Sequence, residues 1–130
     1  RKGYLLTIVT EEEFAMLARL RVVLEELVVK ILVTEKTEDE RKALCRELCG
    51  IDGEAQGANM RFHMKMAKAT GDKYLTSTLY STLSAQARSE RYVTAIRRRR
   101  PPDCHKELTA AILAGDTQQA LACLRKDVGA

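Results

Sequence analysis

Two capping boxes and a series of glycine- and proline-centred breaks constrain this chain most. Thr10 is followed three residues later by Glu13, and Thr37 by Glu40. In each pair the threonine hydroxyl suits the third backbone N–H of a starting helix, while the glutamate reaches back to the capping residue's own N–H. Glu11 and Glu12 add negative charge where the first helix dipole is positive. Beyond Thr10, Phe14, Leu17, Leu20, Leu24, Leu27, Val28 and Ile31 recur at helical spacing and predict a long helix to about Val33. That helix is largely apolar on both faces near its C-terminal end, which predicts a central position.

A second helix is expected from Thr37 to Cys49-Gly50, and a third from about Ala58 to Thr70, stopped by Gly71-Asp72. A fourth, from about Lys73 to Ile96, carries Leu75, Leu79 and Leu83 on one face. Pro101-Pro102 ends that segment and suits the first turn of a fifth helix, from about Pro102 to Ala114. Gly115-Asp116 separates it from a sixth, about Thr117 to Lys126. Only residues 1 to 9, where Thr7, Ile8 and Val9 follow Gly3, read as a short strand or extended tail. One such segment builds no sheet, so the expected fold is all-α, an antiparallel bundle of about six helices.

A chain of 130 residues buries roughly two thirds of its unfolded surface in one core, so it needs neither disulfides nor a structural metal to fold. Its longest apolar stretch, Leu27 to Val33, is broken by Lys30 and is far shorter than the roughly 20 residues of a membrane span. The N-terminus lacks the apolar core and small-residue cleavage site of a signal peptide. Cys45, Cys49, Cys104 and Cys123 read as reduced thiols, and the expected location is the cytoplasm. The net charge of +4 is concentrated in residues 54 to 100, which carry 10 basic and 3 acidic side chains. Four of these are the run Arg97 to Arg100, read as a solvated helix end. With 5% aromatic residues and no nucleic-acid motif, this chain alone is not expected to bind DNA.

Polar residues on apolar stripes carry the functional signal, because burying one without a partner costs several kcal/mol or so. Asn59 and His63 lie four apart on the face of Met66 in the third helix. His105 falls on the core side of the fifth helix, Asp127 on that of the sixth, Arg21 between Leu17 and Leu24, and Gln86 three residues after Leu83. Two imidazoles, a carboxylate and an amide oxygen from three helices suit Zn²⁺ or another borderline ion, whereas each histidine taken alone suits a hydrogen-bonded core position. For Arg21 the alternative to ligand binding is an intramolecular salt bridge with a helix-borne glutamate.

Arg21-Val-Val-Leu24-Glu25 resembles the Arg-x-x-Leu-Glu opening of the FCD domain, the effector-binding domain of FadR-type members of the GntR superfamily of bacterial transcription regulators. Asn59-Met-Arg-Phe62-His63, followed by Ala69-Thr70-Gly71-Asp72, is similar to that family's Asp-x-x-Phe-His and its Ala-Ser-Gly-Asn turn. His105, Ala111-Ile112, Gly115-Asp116, Ala120 and position 127 follow the pattern of its closing two helices. Arg1-Lys-Gly-Tyr4 resembles the wing strand ending the family's N-terminal winged helix-turn-helix, so residues 1–10 are read as a wing and linker remnant and 11–130 as the effector-binding and dimerisation domain. The rest of that DNA-binding domain is missing, so the chain is expected to be a fragment.

The resemblance implies a divalent metal held at Asn59, His63, His105 and Asp127. Two of these positions depart from the family, which has an aspartate first and a histidine last, so total ligand charge is kept with the donors exchanged. Zinc is expected, with nickel, manganese or iron as alternatives, and a metal-free site as the further one. It also implies a homodimer that senses a small carboxylate through Arg21 and Gln86 and modulates operator DNA binding through the missing domain. No activated nucleophile or acid/base pair is evident, so an enzyme is not expected. The competing readings are a metal-dependent hydrolase and a ligand-free helical dimerisation module.

Overall fold

The computed structural model describes residues 9–96 and 104–129. They form α1 (Glu11–Glu35), α2 (Glu38–Cys49), α3 (Ala58–Ala69), α4 (Lys73–Ile96), α5 (His105–Ala114) and α6 (Thr117–Asp127), with no strand among the described residues. The fold is all-α, and none of these helices is long and apolar enough to cross a membrane. Most of the wing and linker segment expected over residues 1–10, the Arg97 to Arg100 run and Pro101-Pro102 lie outside the described residues.

Both capping boxes form. Thr10 Oγ1 accepts from Glu13 N–H at 3.0 Å and Glu13 Oε1 from Thr10 N–H at 3.1 Å. The Thr37–Glu40 pair repeats the arrangement at 3.1 and 2.8 Å. Asp116 caps α6 by accepting from Gln119 N–H at 3.1 Å. α5 starts at His105 rather than Pro102, since Cys104 is its non-helical N-cap and the Cys104 N–H is held by Asp127 at 3.0 Å.

α1 is the central element, packing against α4, α6, α3 and α5. Val28, Val29, Leu32 and Val33 of α1 meet Phe62, Met64 and Met66 of α3, Leu75, Leu79 and Leu83 of α4, and Leu108, Ile112, Leu121 and Leu124 of the last two helices in one core. α2 lies on the outside against α5 and α3. It runs antiparallel to α5, since Arg41 Nε donates to Ile112 O at 3.0 Å while Cys45 Sγ reaches Thr109 O at 3.5 Å. All four cysteines are free thiols, and burial pushes that of Cys45 up, so it stays protonated and donates.

Which face of α1 turns inward differs from the periodicity. Leu20 and Leu27, expected on the buried stripe, are exposed, and Arg21 and Glu25 take the inner positions beside Val28. The N-terminal half is apolar on two sides, so apolar spacing alone does not choose between them. The polar pair decides, because it finds partners on α3 and α4.

The α5–α6 turn depends on Gly115, whose φ of 72 is left-handed. Its N–H returns to Ala111 and Ile112 carbonyls, and Asp116 N–H to Ala111 O at 3.0 Å. A Cβ there would lie 3.2 Å from Arg41 Nη2. Arg41 cannot retreat freely, as its guanidinium also holds Lys36 O at 3.0 Å. Gly115→Ala is therefore expected to cost about 1–2 kcal/mol from backbone strain, read as a lower urea midpoint with unchanged slope.

Candidate functional site

α1 places Arg21 and Glu25 one turn apart on its inner face, and from them a chain of polar contacts crosses the bundle. Arg21 Nη1 donates to Gln86 Oε1 of α4 at 2.9 Å, and Arg21 Nε donates to Glu25 Oε2 at 2.6 Å. Glu25 Oε1 meets His63 Nδ1 of α3, and His63 Nε2 lies 2.9 Å from Asp127 Oδ2 at the end of α6. The same Asp127 oxygen is 3.3 Å from His105 Nε2 on α5. The His105 ring stacks on Phe62, with centroids 3.8 Å apart and planes 5° from parallel. Gln86, Arg21, Glu25, His63, Asp127 and His105 thus link five of the six helices.

Glu25 and His63 are fully buried, so their electrostatics are strong. Burial works to raise the Glu25 carboxyl, but the charge and hydrogen bond of His63 and those of Arg21 outweigh it and hold the group below its ordinary range. Burial disfavours a charged His63. The Glu25 charge and hydrogen bonds to Asp127 and Glu25 overcome burial and the repulsion of Arg21, so its pKa is raised. Asp127 is likewise held well below the usual carboxylate range, against burial, by hydrogen bonds from His105 and His63, the His63 charge and the Cys104 N–H. With a carboxylate at each ring nitrogen, His63 has the surroundings of an imidazolium.

The same arrangement suits a metal. Ligand atoms of His63, His105 and Asp127 all lie within 4.8 Å of one another. The 2.9 and 3.3 Å separations at Asp127 Oδ2 are close to the roughly 3.3 Å edge of a tetrahedron with bonds of about 2.0–2.1 Å. Two imidazoles and a carboxylate leave one position open, and Glu25 sits on His63 Nδ1 where a metal-bound histidine normally carries its orienting carboxylate. The donor chemistry fits a zinc-class ion.

Asn59 lies apart from this trio. It is exposed, in the first turn of α3, and lines a cleft with Arg21, Met60, Leu83, Gln86 and Ala87. The predicted residues therefore form two groups, His63–His105–Asp127 and Arg21–Gln86–Asn59, joined by Glu25. The cleft holds about 50 Å³, well below the roughly 300 Å³ at which small-molecule pockets begin. A larger surface hollow of about 450 Å³, lined by Met64, Lys68, Lys73 and Tyr80 among others, contains none of the site residues.

Glu25 is the site residue that sequence reasoning passed over. Its signal is its position, one turn after Arg21 and three residues before Val28, which places a carboxylate on the buried stripe. The Arg21–Glu25 bridge also realises the intramolecular alternative expected for Arg21. A family model described as FCD domain matches residues 16–130 of the chain. No curated protein and no solved structure gives a significant match.

Proposed function

The chain belongs to the FCD family, the effector-binding domains of GntR-type regulators, and on that premise we propose that it senses a small organic acid beside a divalent ion. The observation that carries this reading is the polar chain itself, which ties a candidate metal trio to a guanidinium at the edge of a cleft. His63, His105 and Asp127 would hold the ion, zinc for preference, with Glu25 orienting His63. When bound, the ion supplies positive charge and an open position for a carboxylate oxygen. Arg21 offers a planar fork to the same ligand, and Gln86 and Asn59 line its approach. In this reading the exposed Asn59 amide serves the effector rather than the ion.

The cleft must widen to admit a ligand, and the helices that bound it, α1, α3 and α4, would carry the displacement. Through a homodimer this would alter the placement of operator-binding domains, provided the acid binds one arrangement better than the other. No bond is broken in this reading. Glu25, the carboxylate nearest the trio, is occupied by Arg21 and His63 and is not placed as a general base for hydrolysis.

Titration calorimetry of zinc-loaded protein against a panel of mono- and dicarboxylic acids tests the proposal. Arg21→Lys is the informative variant, because it keeps a counterion for Glu25 but loses the fork, and affinity is expected to fall about tenfold. An acid bound equally well by both proteins removes Arg21 from the site. Absence of heat with every acid removes the effector reading.

A further inference from the structure

The outward side of α1 is apolar where a solvated helix would be polar. Met16, Leu20, Val23 and Leu27 are 50%, 44%, 65% and 45% exposed. Their spacing of four, three and four residues is that of a coiled-coil seam. A further step in each direction reaches Glu13 and Lys30, both exposed. Half-buried Leu17, Leu24 and Ile31 widen the seam on one flank, while Arg19 and Glu26 border it on the other. From Glu13 to Lys30 the seam runs about 26 Å along the helix.

We propose that this seam is a homodimer interface, in which α1 of one copy packs antiparallel against α1 of a second about a two-fold axis between Leu20 and Val23. The sequence is self-complementary in that register. Leu20 faces the partner's Val23, Met16 faces the partner's Leu27, and Glu13 faces the partner's Lys30, each contact occurring twice by symmetry. Arg19 falls beside the partner's Glu26 on the polar flank. A parallel pairing would instead set Glu13 against its own copy and Lys30 against its own copy, so charge selects the antiparallel one.

The carboxylates are already positioned by their own chains. Glu13 Oε1 holds the Thr10 N–H at 3.1 Å, and Glu26 Oε2 accepts from Arg125 Nε at 2.7 Å. Less side-chain freedom is therefore lost on pairing. The seam lies opposite Arg21 and Glu25, so dimerisation on it leaves the inner polar chain intact. The inference rests on the homodimer in the proposed function and assigns its surface.

Sedimentation equilibrium of the wild-type chain and Val23→Glu tests it. Val23 is the most exposed of the four apolar residues, so the substitution leaves the bundle's core untouched. A wild-type dimer is expected, with the dissociation constant raised at least about 30-fold in the variant and the helical circular dichroism unchanged. A variant that dimerises as tightly as wild type overturns the seam while leaving the homodimer itself in place. A wild type that stays monomeric at its highest soluble concentration overturns both, whereas effector binding is read separately by calorimetry. For orientation, Met16→Cys protein mixed with Leu27→Cys protein, each carrying Cys49→Ser, is expected to form a mixed disulfide dimer. Self-linking of the Met16→Cys protein alone would overturn the antiparallel register.

Discussion

Replacing Glu25 with alanine is expected to destabilise the domain by about 3–5 kcal/mol, since it strands two buried cationic groups without their shared counterion. Arg21 and His63 both lean on this carboxylate, one through each oxygen, and neither has room to turn toward water. The penalty comes less from the lost attraction than from the desolvated charges left behind. Against a total stability of about 5–15 kcal/mol for a domain, the alanine variant would sit near its unfolding threshold. Glu25→Gln keeps an acceptor and the shape but not the charge, and an intermediate loss is expected. Urea unfolding followed by circular dichroism measures both. A loss under about 1 kcal/mol for the alanine variant, the level of an exposed ion pair, would show that Arg21 and His63 find other partners.

The second large effect concerns metal. Elemental analysis of protein purified without chelator or affinity-column nickel is expected to find about one equivalent of a zinc-class ion per chain. His105→Ala should lower zinc affinity at least about 100-fold, beyond the 10–100-fold usual for an outer-shell partner. His105 is the cleaner choice, with a side chain 21% exposed and no role in holding Arg21 or Glu25. His63→Ala removes a donor and the Glu25 counterion together, so it should lose both metal and stability. Metal absent from the wild type would leave the trio as a hydrogen-bonded network and shift effector recognition wholly to Arg21. Metal retained in both histidine variants would place the ion elsewhere.

Helix boundaries are legible in this sequence because capping is local chemistry. Thr10 with Glu13, Thr37 with Glu40, and Gly115 with Asp116 each complete their hydrogen bonds within a few residues. The trio is legible for another reason, since His63, His105 and Asp127 sit on stripes that packing must bury and so must meet something. The facing of α1 is not legible. Its outcome turns on Gln86 and His63, whose contacts with Arg21 and Glu25 span 65 and 38 residues. Apolar periodicity contains no such information, and it put Leu20 and Leu27 inside. Asn59 misleads by the same route, because a first-turn residue shares the helical face of His63 yet lies nearer the solvent.

α1 is the earliest of the six helices in the chain, and α6, one of its principal packing partners, is the latest. During synthesis the apolar inner face of α1 therefore waits through four intervening helices before Leu121 and Leu124 can cover it. Asp127, the last residue of α6, arrives at the same moment. Core closure and completion of the histidine–aspartate cluster become one event at the end of translation rather than successive stages. A nascent chain halted before α6 would present a bare, sticky helix for chaperones to hold, and no partly working sensor.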